Sequence, residues 1–151
     1  MTATIQSHTL SIRDLSFVTP TFRTIISTLL FILASGIQHD VHTYLAHLKT
    51  PAAAKDNPDA HHEPVKTYKL PSHAAFQPLI CPHYTAECVI YLAMAINAAP
   101  PGEWLNHTLT CALGFVVVNL GTTAYGTKQW YESVFGKDSV RGKWRMIPGL
   151  F

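Results

Sequence analysis

Apolar residues fall into three blocks separated by polar or proline-rich stretches. The first runs from Thr24 to Ile37 and contains Ile25, Ile26, Leu29, Leu30, Phe31, Ile32 and Leu33. It is short against the roughly 20 residues a helix needs to cross a bilayer. The pattern therefore predicts a helix that borrows Val18 to Phe22 or continues through Leu45. The second block is Tyr84 to Ala99, closed by Pro100-Pro101-Gly102, which cannot continue a helix. The third is Trp104 to about Tyr125, with Trp104 at one end and Tyr125, Trp130 and Tyr131 at the other, where amphipathic rings favour a membrane interface. The expectation is an all-α membrane protein with about three transmembrane helices.

Between the first two blocks, Lys49 to Leu79 carries Pro51, Pro58, Pro64, Pro71 and Pro78 among alanines and charges, and reads as a loop. The chain then divides into an N-terminal segment, 1–19, and one membrane domain, 20–151, with 50–79 as its proline-rich loop. Met1 to Thr19 has neither a basic start followed by an apolar run nor a small-residue cleavage site, so no secretory signal is expected there.

Composition supports the membrane reading: 48% of residues are hydrophobic and 13% charged, against about 25% charged in a soluble domain. Mean hydropathy is +0.14. A net charge of +2 gives no reason to expect nucleic acid. Cys81, Cys88 and Cys111 lie in or beside apolar stretches without CxxC spacing, as packing residues do.

Charge orients the spans. The loop carries Lys49, Lys55, Lys66 and Lys69, and the tail carries Lys128, Lys137, Arg141, Lys143 and Arg145, while Ala98 to Glu103 has no Lys or Arg. By the positive-inside rule, the loop and the C-terminus are cytosolic. The sequon Asn106-His107-Thr108 would face the far side, too close to the bilayer for ready glycosylation.

Three polar clusters then share the cytosolic side. In the first, Gly36 to Lys49, the residues Gln38, His42 and Lys49 recur at helical spacing. The second contains Tyr68-Lys69-Leu70-Pro71, Phe76, and the pair His83 and Glu87, which share a helix face as i and i+4. An ionisable group at the mouth of an apolar span is a functional-site candidate. The third is Thr127 to Tyr131 with Arg141, Lys143, Arg145 and the closing Ile147 to Phe151. Cations can clamp phosphates and amide or carboxylate groups can bind ribose and carboxamide edges, so an anionic dinucleotide suits the set. No GxGxxG follows a strand, so such a site would have to be built from helix faces and loops. The 9 histidines do not supply convergent metal ligands: His39, His42 and His47 form no HxxxH pair with a third ligand, and His61-His62 lie in the loop.

Plainer readings stand beside these. Gln38, His42, His83 and Glu87 could serve only as helix–helix hydrogen-bond partners. Lys143 and Arg145 could be ordinary membrane-flanking cations, and Trp130 with Tyr131 an interface anchor.

The blocks Gln38-His39-Asp40-Val41-His42 with Leu48-Lys49, Tyr68-Lys69-Leu70-Pro71 with Phe76, Cys81-Pro82-His83-Tyr84 with Glu87, Trp130-Tyr131 with Phe135, and Lys143-Trp144-Arg145-Met146-Ile147-Pro148 resemble, in order and spacing, the C-terminal domain of the steroid 5-alpha-reductase family. The resemblance covers about Ser35 to Phe151. Within the family, the Gln38…His42 opening and the Cys-Pro-His-Tyr block look most like the polyprenol (polyprenal) reductase branch; steroid enzymes have Asn at the position of His83. The chain departs from the family at Thr127, where relatives often present a His nearby, and at Gly149, where Phe commonly follows Ile-Pro.

The resemblance implies a partial version of a seven-helix bundle in the endoplasmic reticulum membrane that reduces the α,β double bond of polyprenal with NADPH, in dolichol synthesis for protein N-glycosylation. It implies NADPH contacts from Gln38, His42, Lys49, His83, Glu87 and Tyr131, with Lys143 or Arg145 near phosphate. Hydride would go to the β-carbon while an acid polarises the carbonyl. The family's acid residues, a Glu and a Tyr, come from early helices, expected upstream of this chain; within it, Tyr84, Glu87 and Tyr131 are the first to test. The implied partners are a polyprenyl lipid and the membrane, with no protein partner. The alternative is a non-catalytic membrane remnant or interaction module of the same fold. An isoprenylcysteine methyltransferase reading fails because no Arg-x-x-x-Glu-Glu tail follows Pro82-His83-Tyr84.

Overall fold

The computed structural model describes residues 19–49 and 69–151. The N-terminal segment and most of the proline-rich loop, with His61, His62 and Tyr68, lie outside the described residues. The described chain is all-helical: α1 Phe22–Lys49, α2 Pro82–Asn97 and α3 His107–Phe135, with single-turn 3-10 helices at Ala74–Phe76 and Lys137–Val140. Among these residues there is no strand, only an isolated parallel bridge between Leu79 and Trp144.

Two of the helices, α1 and α3, are long and apolar enough to cross a membrane. The 28 residues of α1 give about 42 Å at 1.5 Å per residue. The 16 residues of α2 give about 24 Å, shorter than a hydrocarbon core of about 30 Å. α1 extends both ways beyond its apolar block, from Phe22 through the polar stretch to Lys49, because nothing in 37–49 breaks a helix. α2 opens with Pro82 in its first turn, where a missing N–H costs no intrahelical bond.

α3 departs most from its apolar block. It starts at His107, since Asn106 caps it by accepting the Leu109 N–H at 3.1 Å, which leaves Trp104 and Leu105 in the turn. It then runs ten residues past Tyr125, to Phe135, and stops at Gly136, whose φ of +86° suits glycine. The extension is polar, and hydropathy alone does not register it.

α1 and α2 pack together through small buried residues, Ser27, Ala34 and Val41 on α1, Ala86 and Ala93 on α2, which allow close approach. Arg23, at the start of α1, donates to the carbonyls of Ala99 at 3.0 Å and Glu103 at 2.8 Å in the α2–α3 turn. That contact sets the ends of the bundle. The second half of α1, the first turns of α2 and the last turns of α3 therefore gather at the opposite end.

The tail closes that end. Trp144 N–H donates to Pro78 O at 2.9 Å, Ile80 N–H to Trp144 O at 2.8 Å and Cys81 N–H to Arg145 O at 3.0 Å. The Thr85 hydroxyl donates to the Met146 carbonyl. A buried cluster of Ile80, Cys81, Ala124, Val140 and Met146 forms beneath, with Tyr84, Tyr131 and Phe151 packed against it.

Candidate functional site

Gln38 and His42 lie one turn apart on α1, as do His83 and Glu87 on α2. The helices run antiparallel, so one turn forward on α1 matches one turn back on α2. Gln38 Nε2 accordingly donates to Glu87 Oε2, and the His42 and His83 rings meet edge-on with centroids 5.0 Å apart. The four residues form one polar seam between the two helices.

The seam continues sideways. The Tyr84 ring lies 4.3 Å from His83 and packs on the same buried cluster as Tyr131 of α3. Tyr131 also stacks with Trp130 at 5.2 Å and Phe135 at 5.7 Å.

Lys143 sits apart from the seam. It lines a groove of about 300 Å³ with Lys128, Trp144, Arg145 and Phe151, and its carbonyl accepts from Lys128 Nζ at 2.8 Å. Arg145 holds its guanidinium between two rings, 5.0 Å from the centroid of Tyr125 and 4.7 Å from that of Phe151. The sequence reading names Lys143 or Arg145 for phosphate, and the structure puts both in one groove. Lys49 is the last residue of α1, and its side chain lies outside the described residues.

Two buried polar atoms lack a hydrogen-bond partner among the described residues: His83 Nδ1 in the seam and Arg145 Nε beside the groove. Buried polar groups are nearly always paired, and each of these stands in a cluster whose donors and acceptors suit a dinucleotide. An imidazole, an amide and a carboxylate can meet a carboxamide or ribose; three cations can meet phosphates. The residues present fit NADPH.

Cys81 behaves as a packing residue. It is 2% exposed, and burial pushes its thiol up to about 12, against a smaller opposing pull from the Thr127 hydroxyl.

Several contacts have no signal in the sequence. Asp40 meets His73 at 3.2 Å, and the Ser72 N–H donates to the Tyr44 hydroxyl at 2.9 Å. Asp40 and Tyr44 are visibly one turn apart, but their partners lie beyond the long loop, where periodicity does not reach.

The sequence matches the family described as 3-oxo-5-alpha-steroid 4-dehydrogenase over residues 3–151. Among curated proteins, polyprenal reductase of Danio rerio is 31% identical over 113 residues, 74% of this chain and 32% of that protein. Polyprenal reductase 1 of Oryza sativa subsp. indica is 34% identical over 87 residues, 58% of this chain and 23% of that protein. The match thus spans a third or less of these relatives' length. No solved structure matches the chain significantly. With the family match running almost from end to end, the chain belongs to the 3-oxo-5-alpha-steroid 4-dehydrogenase family.

Proposed function

We propose that this chain supplies the NADPH-binding end of a membrane reductase that saturates the α,β double bond of polyprenal, a step of dolichol synthesis for protein N-glycosylation. The relatives' name supports the substrate class. The observation that carries the reading is the seam itself: Gln38 bonded to Glu87 with His42 against His83, at the bundle end where the cationic groove also lies. The location that goes with it is the endoplasmic reticulum membrane, with the loop and C-terminus cytosolic.

In this reading Gln38, His42, His83, Glu87 and Tyr131 hold the nicotinamide and ribose portion, and Lys49, Lys143 and Arg145 the phosphates. When bound, NADPH supplies the hydride. The protein's share is to orient and to keep the site dry. Gln38 holds the Glu87 carboxylate in one direction by donating to it, and the buried cluster under Tyr84 and Tyr131 excludes water from one side. Charge developing on a carbonyl oxygen requires a preorganised donor, since losing one such donor costs on the order of 10² to 10³ in rate. Tyr84, Glu87 and Tyr131 are the candidates within this chain. The apolar exposed faces of α1 and α3, with Leu29, Leu33, Phe115 and Val118, suit a lipid-borne substrate that stays in the bilayer.

The test is a segment swap. This chain replaces the matching third of the Danio rerio relative in a cell lacking polyprenal reductase, and polyprenol and dolichol are measured. The swap restores dolichol, and Glu87→Ala in the swap lowers the dolichol-to-polyprenol ratio by about fivefold or more, as loss of a charge-assisted contact of roughly 1–3 kcal/mol implies. Unrelieved polyprenol with a well-expressed swap contradicts the reading and favours a membrane module without turnover.

A further inference from the structure

α1 presents two polar rows at its second half. Gln38 and His42 meet α2. Asp40 and Tyr44, also one turn apart, hold the segment that enters α2. His73 Nδ1 accepts the Ala75 N–H at 3.3 Å, which leaves Nε2 to donate to Asp40 Oδ2 at 3.2 Å. Ser72 N–H donates to the Tyr44 hydroxyl at 2.9 Å, and Phe76 is buried with its ring 6.0 Å from that of Tyr44.

The same segment then meets the tail. Pro78, Ile80 and Cys81 make the three backbone bonds to Trp144 and Arg145 described above. One short stretch, 72–81, is therefore pinned to α1 at its start and to the tail at its end. The tail places Lys143 and Arg145 in the groove.

Resting on the NADPH reading, we infer that Asp40, Tyr44 and His73 form a clasp that positions Lys143 and Arg145: they are positioning residues that set the groove's affinity for a phosphate-bearing ligand without touching it. The clasp works through the backbone of 72–81. Releasing it frees the tail's backbone partners, and the cations lose their fixed place.

The experiment uses the full chain in detergent with Asp40→Ala, Asp40→Asn and Tyr44→Phe. Asparagine keeps an oxygen to accept the His73 Nε2 proton, so it separates the hydrogen bond from the charge. Hydrogen exchange follows the amides of Ile80, Cys81 and Trp144 without ligand, and NADPH titration follows the groove. Asp40→Ala and Tyr44→Phe raise exchange at these amides and weaken NADPH binding, Tyr44→Phe by about tenfold or less, the size of one lost neutral hydrogen bond, and Asp40→Ala by about tenfold or more, the size of one lost bond to a charged acceptor. Asp40→Asn stays near wild type in both. Faster exchange confined to 72–77, or a loosened tail with unchanged NADPH affinity, overturns the positioning role. If wild-type protein binds no NADPH, the functional reading fails; the exchange arm then decides the clasp alone, sustained by a loosened tail and overturned by a tight one.

Discussion

Gln38 donating to Glu87 is the contact on which the seam depends. The i, i+4 spacing made each face legible, since residues four apart on a helix point the same way. It did not make their meeting legible, because local period says nothing about which face a distant helix offers. The bond also satisfies the plainer reading of a helix–helix lock, and ligand affinity separates the two. Cys81 gives a sharper prediction at this scale. Burial raises its thiol to about 12, so the folded chain keeps it protonated where an unfolded chain begins to ionise near pH 8.5. The sign follows: this group's contribution to stability is whole below about pH 8.5 and is lost as pH rises from there through about 12. A maleimide at pH 8 should label Cys81 only after unfolding in detergent, as read by peptide mass mapping. Ready labelling in the folded chain contradicts the buried, protonated thiol.

At the scale of elements, three apolar blocks foretold three helices, and Pro100-Pro101-Gly102 marked where α2 ends. The polar end of α1 was foreseen as one of two extensions, through Leu45, but that of α3 escaped, because hydropathy follows lipid contact and not hydrogen bonding along the helix. The tail's pairing with 78–81 escaped too. It rests on three backbone bonds between segments far apart in sequence, with no run of alternating residues to signal a strand. Asn106 shows an element boundary deciding a modification question. Its side chain caps α3 through the Leu109 N–H at 3.1 Å and donates to Ala98 O at 3.1 Å, and its own N–H donates to Ala95 O at 2.8 Å. A glycan on Nδ2 would break that turn. Expression with microsomes should leave the chain unglycosylated, and Asn106→Ala should lower stability by about 1 kcal/mol, the usual value of a lost N-cap. A glycosidase-sensitive shift on a gel contradicts this.

On the scale of the whole molecule, Arg23 is tied to the α2–α3 turn at one end of the bundle, and the polar clusters lie at the other. Charge bias had put those clusters on one side of the membrane, and the helix directions agree with that grouping. The third polar cluster of the sequence already grouped Lys128 with Lys143 and Arg145, and the tail brings these three to one groove. Family membership is carried by the match over residues 3–151, and it is the seam that turns membership into a claim about chemistry. The most direct measurement is NADPH affinity of the purified full chain in detergent, wild type against Glu87→Ala and His83→Ala. The account predicts saturable wild-type binding and a loss of roughly 1–3 kcal/mol in each variant, the size of a charge-assisted or buried polar contact. Wild-type affinity in both variants would remove these residues from the cofactor site and contradict the account.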